Sequence, residues 1–270
     1  MSERILTSIA DMVEQTPDVD NRSVFSQLWD ILGEMDRRIR DRFELQRDPC
    51  SDRFADYRKL GSESEGSLST YSGPEVDWYV HSYIGSPEST FTNMHITLSL
   101  GPQSRVPHFG FAFGTVPDIF VYMDYLPRCD LAENPQYLDH YYTEMNQEYL
   151  RLQADERLNP FISQDLYTRV ALTPTAVCYT AKVDDDVIAN LRTIALERLE
   201  RWFGWVDAAE ATAPGEREAL ARRDELIRRT ICERDPANVL AERLFGKDIA
   251  DTMVTTLWGG NRTLPRPGLS

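Results

Sequence analysis

Three of the chain's four histidines, His81, His95 and His108, stand in one stretch of alternating apolar and polar residues. Imidazole moves protons near neutral pH and ligates transition metals, so a cluster of three is the first place to look for chemistry. The stretch divides into strands 77–84 (DWYVHSYI), 93–100 (NMHITLSL) and 107–114 (PHFGFAFG), with SPEST and GPQSR as the turns between them. A turn centred near Glu88 sets His81 opposite His95, and one at 101–103 sets His95 near His108. With neighbouring strands about 4.8 Å apart, the row would span about 10 Å of sheet. Alternation puts Trp78, Val80, Ile84, Met94, Ile96, Leu98 and the three Phe of the last strand on a core face. The opposite face carries Tyr79, His81 and Tyr83, then His95, Thr97 and Ser99, then His108, Gly110 and Ala112. Lys and Glu are missing from it, and the small residues leave room, so it reads as the wall of a pocket.

Two chemistries suit such a row. In one, His108 protonates a pyrrole or enol as electrons arrive, which makes a reductase. In the other, His81, His95 and His108 converge on Fe, Cu or Zn and leave positions open for substrate or O₂, which makes an oxidase or oxygenase. Ligation needs all three nitrogens within about 2.0–2.2 Å of one point, so the outer rings must lean over the middle one. Hydrogen-bonded structural imidazoles are the plain alternative. Tyr79, Tyr83 and Tyr122 can stack on a flat substrate or merely fill a layer under a helix.

The elements that must position these groups follow from the periodicities. Helical spacing covers 3–14 and 23–42, with Phe25, Leu28, Ile31, Leu32 and Met35 on one side of the second. The polar stretch 46–73 is loop except for an alternating piece at 66–71. After the histidine strands come a β-branched and aromatic run at 117–124, a helix at 134–152 and a strand at 168–182. The rest is helical, at 185–206, 216–230, 236–244 and 247–257, before a tail at 259–270 that should fray. One α/β domain over 1–258 results, with helices before 46, sheet over 66–182 and helices over 185–257.

Composition narrows the partners. A chain of 270 residues with 41% hydrophobic content can bury one large core. Its net charge of −15 repels phosphate backbones and anionic bilayers, which argues against nucleic acid and membrane as partners. Cys50, Cys129, Cys178 and Cys232 are scattered with no CxxC, signalling neither a zinc site nor a disulfide framework. The sequence shows no apolar leader and no run of 18 apolar residues, from which the expectation is a cytoplasmic protein.

Five strings in order, GSESEGSLSTYSG (61–73), DYLPRCDL (124–131), NPQYLDHYY (134–142), ALTPTA (171–176) and RDELIRRTICERDPANVLAERLFG (223–246), resemble the red chlorophyll catabolite reductase family, itself related to ferredoxin-dependent bilin reductases. The first sixty residues match only as generic helices. The resemblance implies a three-layer α/β/α sandwich, a central antiparallel sheet flanked by helices, with an open tetrapyrrole on one sheet face. It further implies no tightly bound organic cofactor, a ferredoxin-type electron donor, a homodimer, and carboxylates that supply protons. One such acid falls on Asp235. The other falls at Ala112, which can neither donate nor accept a proton. His95 and His108 stand where the family pattern carries asparagine.

The expected protein is therefore an oxidoreductase acting on a flat conjugated small molecule, tetrapyrrole-like or an aromatic specialised metabolite. His108, His95, His81 and Asp235 are the catalytic candidates. Tyr79, Tyr83, Thr97, Ser99, Gly110, Ala112 and Tyr122 are the substrate-binding ones. The metal-dependent oxidase is the alternative, and a pigment-binding protein without turnover is a third reading, which Ala112 favours. Asp235 also fits a helix N-cap before Pro236. His140 belongs to a surface or dimer contact, and Asp124 with Arg128 either to an ion pair closing a turn or to substrate binding. The arginines of RRDELIRR read as a solvated face with paired charges.

Overall fold

Alternation in the middle of the chain and helical spacing in its flanks become, in the computed structural model, a sheet between two sets of helices. The structure describes residues 6–7, 19–61, 65–85, 88, 91–163 and 165–269. In chain order the main elements are α1 (Arg22–Arg42), β1 (Gln46–Arg47), β2 (Gly66–Ser72), β3 (Val76–Ile84), β4 (Thr92–Leu100), β5 (His108–Thr115) and β6 (Ile119–Leu126). They continue as α2 (Pro135–Gln153), β7 (Leu158–Pro160), α3 (Leu166–Ala171), β8 (Val177–Ala181), α4 (Asp185–Asp207), α5 (Pro214–Arg234), α6 (Asn238–Phe245) and α7 (Lys247–Trp258). The strands form one sheet in the order β1-β2-β3-β4-β5-β6-β8-β7, antiparallel throughout. The helix expected at 3–14 lies outside the described residues apart from Leu6–Thr7, which pair in parallel with Ile162–Ser163.

One sheet face is the main core. Met94, Ile96 and Leu98 of β4 and Phe109, Phe111 and Phe113 of β5 pack there against Leu28, Ile31, Leu32 and Met35 of α1 and Leu191, Leu199 and Trp202 of α4. Each of these is almost fully withdrawn from water, and burial of that kind contributes about 1.5–3 kcal/mol per side chain. The other face carries a smaller cluster in which Trp78 and Val80 of β3 meet Phe54, Tyr57, Phe245 and Met253. Helices α5, α6 and α7 belong to this side, and the Trp78 indole N–H donates to the carbonyls of Thr256 and Leu257 at 3.2 and 3.1 Å.

Trp78 and Val80 thus face away from Met94 and Ile96, opposite to the expectation. The cause is a bulge in β3: Val76 pairs with Leu100, but Trp78 pairs with Ser99, and from there His81 lies opposite Ile96 rather than His95. A slip of one residue turns every following side chain to the other face. The strand expected at 168–182 is also shorter, because Asp165 accepts the Thr168 N–H at 2.8 Å and caps α3 before β8 begins.

The tail is held where fraying was expected. Gly259 adopts φ 83° to end α7, and the chain returns across the sheet. Asp48 there accepts the N–H groups of Thr263 and Leu264, both at 2.9 Å, and the Thr263 hydroxyl at 2.9 Å. Arg262 donates to Asp77 at 2.6 Å and Arg266 to Glu225 at 2.7 Å. Asp48→Ala should therefore lower stability by about 2–3 kcal/mol and raise amide exchange at Thr263 and Leu264. Unchanged protection at those two amides in a hydrogen-exchange experiment would contradict it.

Candidate functional site

The pocket face of β3, β4, β5 and β6 does not meet the helices over it everywhere. Beneath α5 and α6 it leaves a cavity of about 390 Å³. A side chamber of about 190 Å³ adjoins it, and His95, Thr97, Ala112, Tyr122 and Asp235 border both. The spaces exist because β5 presents the small Gly110 and Ala112 here: a Cβ added at Gly110 would meet nothing closer than the Asp124 carbonyl at 3.8 Å.

The structure separates the three histidines. His95 pairs directly with Ala112 across β4 and β5, while His108 lies four residues further along β5, about 13 Å away on the same face. The turn expected at 101–103 is in fact a connection that runs to Pro107, which moves the register. His81 is on the core face, with its ring 6.2 Å from that of Trp29. The three-imidazole metal site therefore does not form, and among the described residues no group of three or more His, Cys, Asp or Glu is placed to hold a metal ion. Tyr79 is also on the core face, where its hydroxyl donates to Asp36 at 2.6 Å. Tyr83 packs its ring 4.6 Å from Trp29 and only borders the cavity. Thr97, Ser99, Gly110, Ala112 and Tyr122 line the spaces as expected.

Each titratable group in the pocket has a physical reason for its state. His95 contacts the Thr97 hydroxyl through Nε2 at 2.5 Å, and burial lowers its pKa to about 4. Burial also lowers the pKa of His108; its Nδ1 accepts the Leu100 N–H at 3.1 Å, which puts the ring proton on Nε2, toward Asp224 Oδ1 at 3.5 Å. Desolvation alone would raise the Asp224 pKa, but His108 and the Arg128 guanidinium at 2.6 Å outweigh it and bring it to about 2. Asp235 has the opposite balance. Desolvation raises its pKa against a single hydrogen bond from the Ala237 N–H at 2.8 Å. Its side chain opens on the cavity between α5 and α6, two residues earlier than an N-cap of α6 would stand.

A buried neutral imidazole couples folding to acid. The lowered His95 pKa means the unfolded chain binds its proton first, so the stability contribution is complete above pH 6.5 and is lost as pH falls toward 4. His95→Gln should remove about 1–3 kcal/mol of that dependence from chemical unfolding at pH 7 and pH 4.5. An identical slope in both proteins would contradict the assignment.

Several pocket groups were not foreseen. Arg128 does not pair with Asp124; it reaches Asp224, while Asp124 accepts the Thr173 N–H and hydroxyl at 2.7 and 2.6 Å. Asp224 and Arg228, expected on a solvated face, are buried on the inner side of α5. Arg228 donates to Asp77 and to the Trp258 carbonyl, both at 2.9 Å. The available signal was their helical phase with Ile227 and Ile231, which also line the cavity. His140 is exposed on α2 beside Tyr141.

Comparison with known proteins supplies the context. The sequence model of the red chlorophyll catabolite reductase family matches residues 27–258. Red chlorophyll catabolite reductase 1, chloroplastic, from Oryza sativa subsp. japonica is 26% identical over 200 residues, 68% of this chain and 60% of that protein. The Hordeum vulgare red chlorophyll catabolite reductase is 28% identical over 186 residues, 63% of this chain and 89% of its own. The chloroplastic one from Arabidopsis thaliana is 27% identical over 238 residues, 80% and 74% of the two chains. The crystal structure of tomato phytochromobilin synthase in complex with biliverdin superposes with a TM-score of 0.73 at 15% identity, over 89% of this chain and 86% of that one. This agrees in fold. The cytoplasmic expectation is corrected, since relatives from rice and Arabidopsis are named chloroplastic. A missing apolar leader speaks only to secretion, because transit peptides carry no such run.

Proposed function

The chain belongs to the red chlorophyll catabolite reductase family, and from that premise we propose that it is a reductase of a linear, tetrapyrrole-like substrate bound between the pocket face and α5. The observation that carries this reading is the cavity of about 390 Å³ in which His95 and Asp235 both stand. The metal-dependent oxidase is not favoured, because His81 lies on the other side of the sheet from His95.

In this reading two electrons arrive singly from an external donor of ferredoxin type and two protons are added, so that one double bond of the conjugated system is reduced. Asp235 supplies a proton. Its pKa, raised by the partial desolvation it meets at the cavity, keeps the carboxyl protonated to higher pH than an ordinary aspartate, which is what a general acid needs. His95 takes the place left open by Ala112, directly across the strand pair, and as a neutral imidazole it hydrogen-bonds a pyrrole or lactam group and holds it in line with Asp235. His108 is a positioning residue: with Asp224 and Arg128 it fixes α5 over the sheet. A homodimer, implied by the family resemblance, belongs to the same reading.

Anaerobic incubation of the full chain with biliverdin and reduced ferredoxin tests the reading. Loss of the long-wavelength absorption band, dependent on both protein and donor, is expected. Tight binding without any spectral loss would leave only a pigment-binding protein.

A further inference from the structure

The side chamber of about 190 Å³ adjoins the main cavity, and its walls are selective. We infer that it is a specificity subsite for an uncharged substituent of the substrate, an alkyl or alkyl-ester group projecting off the conjugated plane. This rests on the tetrapyrrole reading of the main cavity. The chamber opens beside His95 and Asp235, so whatever occupies it lies next to the reacting region.

Its lining decides the chemistry. Leu126, Leu172 and Ile231 make the walls apolar, and Gly110 and Ala112 set its depth. Two carboxyl groups border it, Asp124 and Asp235. Asp124 has both oxygens engaged, Oδ1 by the Thr173 hydroxyl at 2.6 Å and the Tyr125 N–H at 2.9 Å, Oδ2 by the Thr173 N–H at 2.7 Å. At the rim, Arg234 places its guanidinium 4.2 Å from the centre of the Tyr167 ring and donates to the Tyr167 hydroxyl. A carboxylate entering here would lose its hydration against apolar walls, whereas an alkyl or ester group would lose little and gain apolar contact. A longer side chain at position 112 would fill the same space, so the small Ala112 keeps the subsite open.

Absorption titration of the full chain with biliverdin and with biliverdin dimethyl ester tests this, for the wild type, Ala112→Leu and Leu172→Phe. The two variants fill the chamber from the sheet and from the end of α3, and a thermal melt of each reports whether it folds. The ratio of ester to diacid affinity should fall roughly tenfold in both variants. Equal weakening of the two ligands, or an unchanged ratio in folded variants, would overturn the subsite and leave the tetrapyrrole reading intact. Failure of the wild type to bind either ligand would overturn that reading and the subsite with it.

Discussion

Asp235→Asn should lower turnover of the bound linear tetrapyrrole by about 10²–10⁴-fold, the range expected when a general acid is removed, while its dissociation constant changes only a few-fold. The substitution separates two roles. The carboxylate accepts the Ala237 N–H at 2.8 Å, and an asparagine carbonyl can accept the same bond, so the turn between α5 and α6 is kept. Only the transferable proton is lost. The raised pKa adds a sign: activity depends on the protonated form, so it falls as pH rises through the Asp235 pKa, and Asp235→Asn should abolish that limb of the profile. If the variant turned over at the wild-type rate with an unchanged pH profile, Asp235 would be a capping residue and nothing more.

The largest effect on stability is expected at the base of the pocket. Arg128→Met should cost about 3–5 kcal/mol, because it leaves the Asp224 carboxylate buried without its partner. Arg128 donates to Asp224 Oδ2 through Nε at 3.0 Å and Nη2 at 2.6 Å, and through Nη1 to the carbonyls of Gly101 and Ser104. The double change Arg128→Met with Asp224→Leu should recover much of the loss, since it removes the orphaned charge. The wild-type pair contributes fully above pH 3.8 and its contribution declines as pH falls toward 2, the depressed Asp224 pKa. The deficit of the single variant should narrow over the same window. Urea unfolding of the three proteins decides it, and a double variant less stable than the single one would contradict the account.

Both predictions depend on residues whose legibility in the sequence differed. Asp235 and the three-layer order were visible through the family-like strings, and the strands were visible through their alternation. Which way β3 faces was not visible. Its bulge between Val76 and Trp78 is a backbone event with no residue signature, and it moved His81 and Tyr79 to the core side. The longer connection from Gly101 to Pro107 moved His108 along the same face instead, so that its neighbour across the strands is not His95. Asp224 and Arg228 were hidden for another reason: on α5 charged and apolar residues share one face, so the helix shows no clean amphipathic division. His95 kept its place because β4 and β5 pair without a bulge, and its partner there is Ala112.

The central claim is that a linear tetrapyrrole lies between the β4–β5 face and α5 with its reacting region at His95 and Asp235. A crystal structure of the protein soaked with biliverdin tests it most directly. The pigment should lie in that cavity with a ring nitrogen or lactam oxygen within hydrogen-bonding distance of His95 and the Asp235 carboxyl on the other side. Density for the pigment elsewhere on the molecule, or in the cavity but out of reach of both side chains, would contradict the account.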